Sequence, residues 1–351
     1  MATKLLGAGV SGNLTTDPLY NFGLDDDVII VEAGSGDHTI SLVSQGDPLG
    51  LAIATGAGND LIDTSLADAN SWQFAFAGSG SDTMLGGAGS DWFVEGTGDD
   101  KGSLGGGSDY AFADAGNDYM DGGDGVDTAV FTVINADGPP QEAQTYLGGV
   151  TFDLAQTSAQ NLGAFGLDTY LNFENVEGGD GGDRFLGSSG ANRMEGGRGN
   201  DRLYGRAGND HLFGEQGSDI LQGGSGADIL NVGDISTTAA FRDIIRFTSV
   251  TDSGLTTSTR DRIVSFDRGG QTRDDKIDLS AIDANPLVFG NQAFQFIGNA
   301  SAFTPTAGGQ VRLQVSGSDT IVHVDTDFDV FSEMTFTIVG VTGLRASDFV
   351  L

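Results

Sequence analysis

In two stretches of the chain the residue at every ninth position is usually apolar, and the residues that open each period are rich in glycine. The first stretch, 77–130, reads AGSGSDTML, GGAGSDWFV, EGTGDDKGS, LGGGSDYAF, ADAGNDYMD, GGDGVDTAV. The second, 178–231, reads GGDGGDRFL, GSSGANRME, GGRGNDRLY, GRAGNDHLF, GEQGSDILQ, GGSGADILN. Glycine admits the positive φ that tight turns need, so the first six residues of a period predict a turn. The last three predict a short strand whose middle residue points inward. Those inward residues are Met84, Phe93 and Met120 in the first array, then Phe185, Met194, Leu203, Leu212, Leu221 and Leu230 in the second. Gly102, Ala111 and Ala129 hold the same place in the first array, which predicts a thinner core there and a more regular second array. Two periods complete one turn of a coil, so each unit stacks on the unit two places along.

The sixth position of the period carries the candidate chemistry. It is aspartate in every unit but one: Asp82, Asp91, Asp100, Asp109, Asp118 and Asp127, then Asp183, Asp201, Asp210, Asp219 and Asp228, with Asn192 as the exception. Stacking sets these carboxylates in rows beside turn carbonyls, and such an oxygen-only set suits a hard cation such as Ca²⁺, which takes about six to eight oxygens. Mg²⁺ fits less well, because it demands strict octahedral geometry and holds its water. The turn glycines that complete the expected sites are Gly78, Gly80, Gly87 and Gly89, then Gly179, Gly181, Gly197, Gly199, Gly208, Gly217, Gly224 and Gly226. Asn192 keeps an oxygen but loses a charge, so its site is expected to be weaker. A lone further match, TGAGNDLID at 55–63, offers Asp60 as a ligand at a frayed edge.

The arrays resemble the GGxGxDxUx nonapeptide of the RTX family, in which the repeat binds Ca²⁺. The resemblance implies an all-β chain: a parallel β-roll that is disordered without calcium, folds with it, and leaves the cell by a type I secretion pathway. Several ions are expected, on the order of eight over the two arrays. After 231 the nonapeptides give way to strand-like runs, among them RDIIRFT, RDRIVSFD, DDKIDLSAI, QVRLQV, DTIVHVD and the closing ASDFVL. This region resembles the C-terminal module of serralysin-type RTX proteins, which implies a β-sandwich-like cap and a type I secretion signal.

The chain therefore divides into an N-terminal β-rich cap with degenerate repeats at 1–76, a first array at 77–130 and a spacer at 131–177. A second array at 178–231 and a C-terminal β cap with the signal at 232–351 complete it. Within the spacer, Val150, Phe152 and Leu154 alternate with polar residues, which predicts a strand, and a projecting loop is expected at about 135–146. Asp325, Asp327 and Asp329 imitate the opening of an EF-hand loop. Val330 stands where that loop needs glycine and Phe336 where it needs glutamate, so a different ion site or a plain acidic turn is expected.

Charge changes the picture further. The formal net charge is −34, and before Arg184 the only basic residues are Lys4 and Lys101. A fold this acidic repels itself unless cations relieve it. Nucleic acid is excluded as a partner by the same field. The arginines of the second array, Arg184, Arg193, Arg198, Arg202 and Arg206, are expected to pair with nearby carboxylates. With no cysteine there is no disulfide, and calcium takes over that stabilising role. No apolar run is long enough for a transmembrane helix. The start, MATKLLGAGVSGN, lacks the apolar stretch of a signal peptide, which directs the search for an export signal to the other end.

Catalysis is not expected. There is no HExxH, and His38, His211 and His323 are unrelated in spacing, which removes a zinc protease. There is no GxSxG either. The reading that follows is a secreted calcium-binding structural protein that self-associates through calcium at the cell surface, as a surface-layer or matrix subunit. The alternative is a soluble adhesin-like or polysaccharide-binding module, meeting a surface glycan or lipopolysaccharide, for which Trp72, Trp92, Tyr110 and Tyr119 offer stacking faces. An action on membranes has no amphipathic or apolar segment to support it.

Overall fold

The structure is a computed structural model that describes residues 35–43, 50–132, 148–233, 241–268, 275–305 and 308–351, together with the strands Leu5–Leu6, Gly12–Thr15 and Val28–Glu32. Two compact units make up the chain, Met1–Asp180 and Gly181–Leu351. Both are coils of parallel strands, in which each turn gives one strand to each of two sheets. The projecting loop expected at about 135–146 lies outside the described residues.

In the first unit one sheet stacks Gly50–Ala54, Trp72–Phe76, Asp91–Val94, Tyr110–Phe112, Thr128–Val130 and Asn175–Glu177 in parallel. The other stacks Thr39–Val43, Leu61–Asp63, Thr83–Leu85, Lys101–Ser103, Tyr119–Asp121 and Leu167–Leu171. Register places the eighth residue of each period in a vertical column. One column runs Ile40, Ile62, Met84, Gly102, Met120, Tyr170 and the other Ile53, Ala75, Phe93, Ala111, Ala129, Val176. The gap at Gly102 is not empty, because a Cβ there would meet Met120, Phe93 and Leu104. Large residues fill the space that small ones leave, so the thin core expected of the first array is closed. Full burial of one such Phe, Leu or Met side chain contributes roughly 1.5–3 kcal/mol.

The second unit repeats the scheme with columns Phe185, Leu203, Leu221, Ile245, Ile277, Phe349 and Met194, Leu212, Leu230, Ile263, Ile338. The nonapeptide sequence stops at 231, yet the coil does not. Ile244–Arg246, Arg262–Val264, Lys276–Asp278, Met334–Ile338 and Phe349–Val350 continue the same stacking without the glycine-rich turns. An antiparallel run of Gln310–Ser316, Asp319–Asp325 and Met334–Ile338 then covers one sheet edge. Insertion 64–76 is likewise part of a coil, since Trp72–Phe76 pairs with a strand on each side.

Candidate metal centre

The turn of each period is set by its glycines. Gly78, Gly80, Gly181, Gly197, Gly199, Gly208, Gly217, Gly224 and Gly226 hold φ between 91° and 154°. A Cβ on Gly199 would overlap the carbonyl of Gly181, and one on Gly217 the carbonyl of Gly199. Successive turns therefore lie backbone on backbone. Gly87, Gly89 and Gly179 differ from the expectation, for they stay outside the left-handed region. Gly87 and Gly89 meet the carbonyls of Ala67 and Ser71, so this turn rests on the insertion at 64–76 and not on another nonapeptide. Arg206 and Glu215 take the second position of their turns with φ 74° and 65°, in the region glycine occupies elsewhere.

Close stacking aligns the aspartates into ladders. In the first unit the backbone N–H of Asp60 donates to Asp82 Oδ1 (2.7 Å), Asp82 to Asp100 (2.6 Å), Asp100 to Asp118 (2.7 Å) and Asp118 to Asp168 (2.9 Å). A second ladder runs from Asp91 to Asp109 (2.7 Å), Asp109 to Asp127 (2.9 Å) and Asp127 to Glu174 Oε2 (2.9 Å). In the second unit, Asp183 donates to Asp201, Asp201 to Asp219, Asp219 to Asp243 and Asp243 to Asp275, at 2.7–3.0 Å. Beside it Asn192 donates to Asp210, Asp210 to Asp228 and Asp228 to Asp261, at 2.8–2.9 Å. Asp60 is not at a frayed edge: it is buried, and its Oδ1 accepts the N–H of His38 at 2.6 Å.

Each rung uses one carboxylate oxygen. The other, on Asp60, Asp82, Asp100, Asp109, Asp118, Asp127, Asp168, Asp201, Asp210, Asp228 and Asp261, is buried with no hydrogen-bond donor among the described residues. A buried oxygen left this way costs about 1–3 kcal/mol, more when charged. Burial pushes the Asp100 and Asp109 carboxyls up to about 8, Asp168 and Asp210 to about 7, and Asp261 to about 9, with neighbouring carboxylates adding to the shift. Asp82, Asp118, Asp127, Asp201 and Asp228 rise to about 6 for the same first reason.

The second oxygens face a cradle. A Cβ on Gly122 would lie 2.5 Å from the carbonyl of Asn172 and 2.6 Å from Asp127 Oδ2. One on Gly205 would enter the space between Asp210 Oδ2 and the carbonyl of Gly223. Where the period opens with such a glycine, it keeps open a space lined by a carboxylate oxygen and a carbonyl of the next turn; Ala77, Glu95, Leu104 and Ala113 hold that position before Asp82, Asp100, Asp109 and Asp118. That donor set, all oxygen with partial or full negative charge, fits Ca²⁺.

Two positions are built differently. Asp91 Oδ2 accepts the N–H of Gly87 at 3.1 Å, and Asn192 Oδ1 accepts that of Ser188 at 2.7 Å. Here the turn's own backbone donates to the oxygen, while Gly86 and Gly187 leave the same space beside the carbonyls of Leu104 and Gly205. Among the second-array arginines, Arg193 meets Glu195 and lies over Phe213, Arg184 lies over Tyr204, and Arg206 donates to the carbonyl of Gly187 at 2.7 Å.

Several ladder residues escaped the sequence reading: Asp168, Glu174, Asp243, Asp261 and Asp275. All but Glu174 open an Asp-x-apolar strand, as in DTYL, DIIR, DRIV and DKID, which is the second half of the nonapeptide; Asp168 keeps Gly163 and Gly166 before it, whereas Asp243, Asp261 and Asp275 lack the glycine two residues ahead. Glu95 was missed as well. It takes the first position of its turn, is fully buried, accepts the Tyr170 hydroxyl at 2.9 Å, and is pushed well above the usual carboxylate range by burial and then by Asp118.

The family model of the RTX calcium-binding nonapeptide repeat matches the chain four times, at residues 74–101, 96–129, 177–212 and 204–234. Curated proteins give no match. Among solved structures, the AlgE6R3 subunit of a mannuronan C5-epimerase from Azotobacter vinelandii is 27% identical over 48% of this chain and 77% of that one, with a TM-score of 0.18. The AlgE6R2 subunit of that enzyme is 19% identical over 58% of this chain and 93% of its own, with a TM-score of 0.27. The extracellular lipase LipA from Serratia marcescens is 16% identical over 88% of this chain and 45% of its own, with a TM-score of 0.28.

Proposed function

We propose, for a chain that carries two arrays of the RTX calcium-binding nonapeptide repeat, that its ladder aspartates bind calcium and that this binding drives the folding of both arrays. The product is a secreted structural protein that leaves the cell through type I secretion machinery and self-associates at the cell surface as a layer or matrix subunit. One observation carries the reading: rows of buried carboxylates whose second oxygens have no donor among the described residues, with a turn carbonyl beside that oxygen at Asp127 and Asp210. When bound, calcium neutralises those oxygens and joins consecutive turns. The ligands are Asp82, Asp100, Asp109, Asp118, Asp127, Asp201, Asp210 and Asp228, with Asp183 and Asp219 in the same register. Asp60 and Asp168 extend the first ladder. A net charge of −34 adds the second element, because divalent ions between acidic faces relieve repulsion between copies. Light scattering during a calcium titration tests the assembly. Growth of large particles that dissolve in chelator is expected, and a monodisperse monomer at every calcium level would contradict it.

A second reading, a polysaccharide-binding module, is favoured by one feature of the first unit. Trp72, Phe74, Trp92, Tyr110 and Phe112 form an outward stripe on one sheet, with Trp92 and Tyr110 stacked at 5.8 Å between ring centres. Trp72 is 40% exposed. Such a stripe presents flat faces to the C–H side of a sugar ring. Neutral and uronic-acid polysaccharides that shift tryptophan fluorescence in the wild type, and not in Trp92→Ala, would establish this reading in place of assembly.

A further inference from the structure

The connection between Asp319–Asp325 and Met334–Ile338 brings four carboxylates together. One oxygen from each of Asp325, Asp327, Asp329 and Glu333 lies within 4.8 Å of the others. Asp325 ends its strand fully buried; its Oδ1 accepts the N–H of Asp327 at 3.0 Å, and its Oδ2 is buried with no donor among the described residues. Asp327 and Asp329 each spend one oxygen on the N–H two residues further on, at 2.8 and 2.6 Å. Glu333 Oε2 accepts the N–H of Thr326 at 2.7 Å, which brings the far end of the loop back to its start.

We propose that this hairpin loop is a separate calcium site, built from the side chains of residues 325–333 alone and independent of the nonapeptide ladders. Four carboxylates gathered this closely repel one another, and the buried oxygen of Asp325 adds an unmet acceptor at the floor of the cluster. A bound cation answers both. The donors are all oxygen, with no imidazole or thiolate, so the set suits calcium and not zinc.

The geometry also accounts for where the sequence leaves the EF-hand pattern. Phe336, at the place of the closing glutamate in that loop, is buried in the core, and it stacks on Phe247 at 4.5 Å. The hairpin closes three residues earlier, through Glu333. No αL glycine is needed at Val330, because two antiparallel strands and not two helices bring the ends together.

The site predicts one ion beyond those of the arrays. Native mass spectrometry of the full calcium-loaded chain counts bound ions directly. The double substitution Asp327→Asn and Asp329→Asn leaves both backbone acceptors in place and is expected to remove one calcium per chain, with the far-ultraviolet circular dichroism of the arrays unchanged. Glu333→Gln, which keeps the acceptor for Thr326, is expected to lose the same single ion and decides the matter if the double variant misfolds. An unchanged ion count in Glu333→Gln would overturn the proposal. Because the variants do not touch the ladders, that outcome leaves the ladder reading untouched.

Discussion

At the scale of single residues, the two oxygens of a ladder aspartate do different work, and substitutions separate them. Asp210 Oδ1 accepts the N–H of Asn192, while Oδ2 has no donor among the described residues. Asp210→Asn retains the first and removes the charge of the second. Loss of outer-shell partners alone weakens metal sites about 10–100-fold, so removing a ligand is expected to raise the calcium midpoint of folding by at least about tenfold. Asp91→Asn serves as the contrast. Its Oδ2 already accepts the N–H of Gly87, and a shift of less than about threefold is expected, well short of the range for a lost partner. Both values come from calcium titrations followed by circular dichroism. Equal shifts would mean that the hydrogen bond at Asp91 does not mark a position without an ion.

At the scale of one turn, glycine decides how closely the coil stacks. Gly217 has φ 151°, and a Cβ there would overlap the Gly199 carbonyl. Gly217→Ala is expected to destabilise the calcium-loaded fold by about 1–3 kcal/mol for backbone strain alone, with the overlap adding to it. Gly190, whose added Cβ would meet only Ser188 Oγ at 3.7 Å, is the control and is expected to stay within about 0.5 kcal/mol when changed to alanine. Urea denaturation at saturating calcium reads both. This scale also shows how far the sequence was legible. Strict period fixed the inward column from Met84 to Leu230 and the partner of every aspartate within an array. Past 231 the glycine two residues before the aspartate is lost, and with it the cue for the turn, although Asp243, Asp261 and Asp275 keep the rung; Asp168 keeps Gly163 and Gly166, but in a single period outside either array. Loops of other lengths reach the same register: the partner of Asp118 lies 50 residues away, where within the array it is 18. Glu95 was illegible for another reason. Its role depends on Tyr170, a contact 75 residues distant that no local pattern records.

At the scale of the whole molecule, the metal-free coil carries many carboxylates whose folded values lie above the ordinary range, from about 6 at Asp82 to about 8 at Asp100. A raised folded value means the folded chain holds protons that the unfolded chain has released. The stability this supplies is fully present below the ordinary carboxylate range, and it is lost as pH rises through about 6 to 8. Metal-free protein is therefore expected to be more structured at mildly acid pH than at pH 8, and calcium binding at mildly acid pH, where the metal-free chain is folded and holds these protons, is expected to release them. Paired titrations in two buffers of different ionisation enthalpy measure that release. No release at pH 6 to 7 would mean the carboxylates are already ionised in the metal-free chain.

The measurement closest to the central claim is a calcium titration of the metal-free full-length chain at pH 7.5, followed by far-ultraviolet circular dichroism with magnesium as a parallel arm. The account predicts a cooperative gain of β-structure with calcium, reversed by chelator, and little response to magnesium at the same concentration. An identical β spectrum with and without calcium would contradict it, because the ladders would then be stable with their second oxygens unmet.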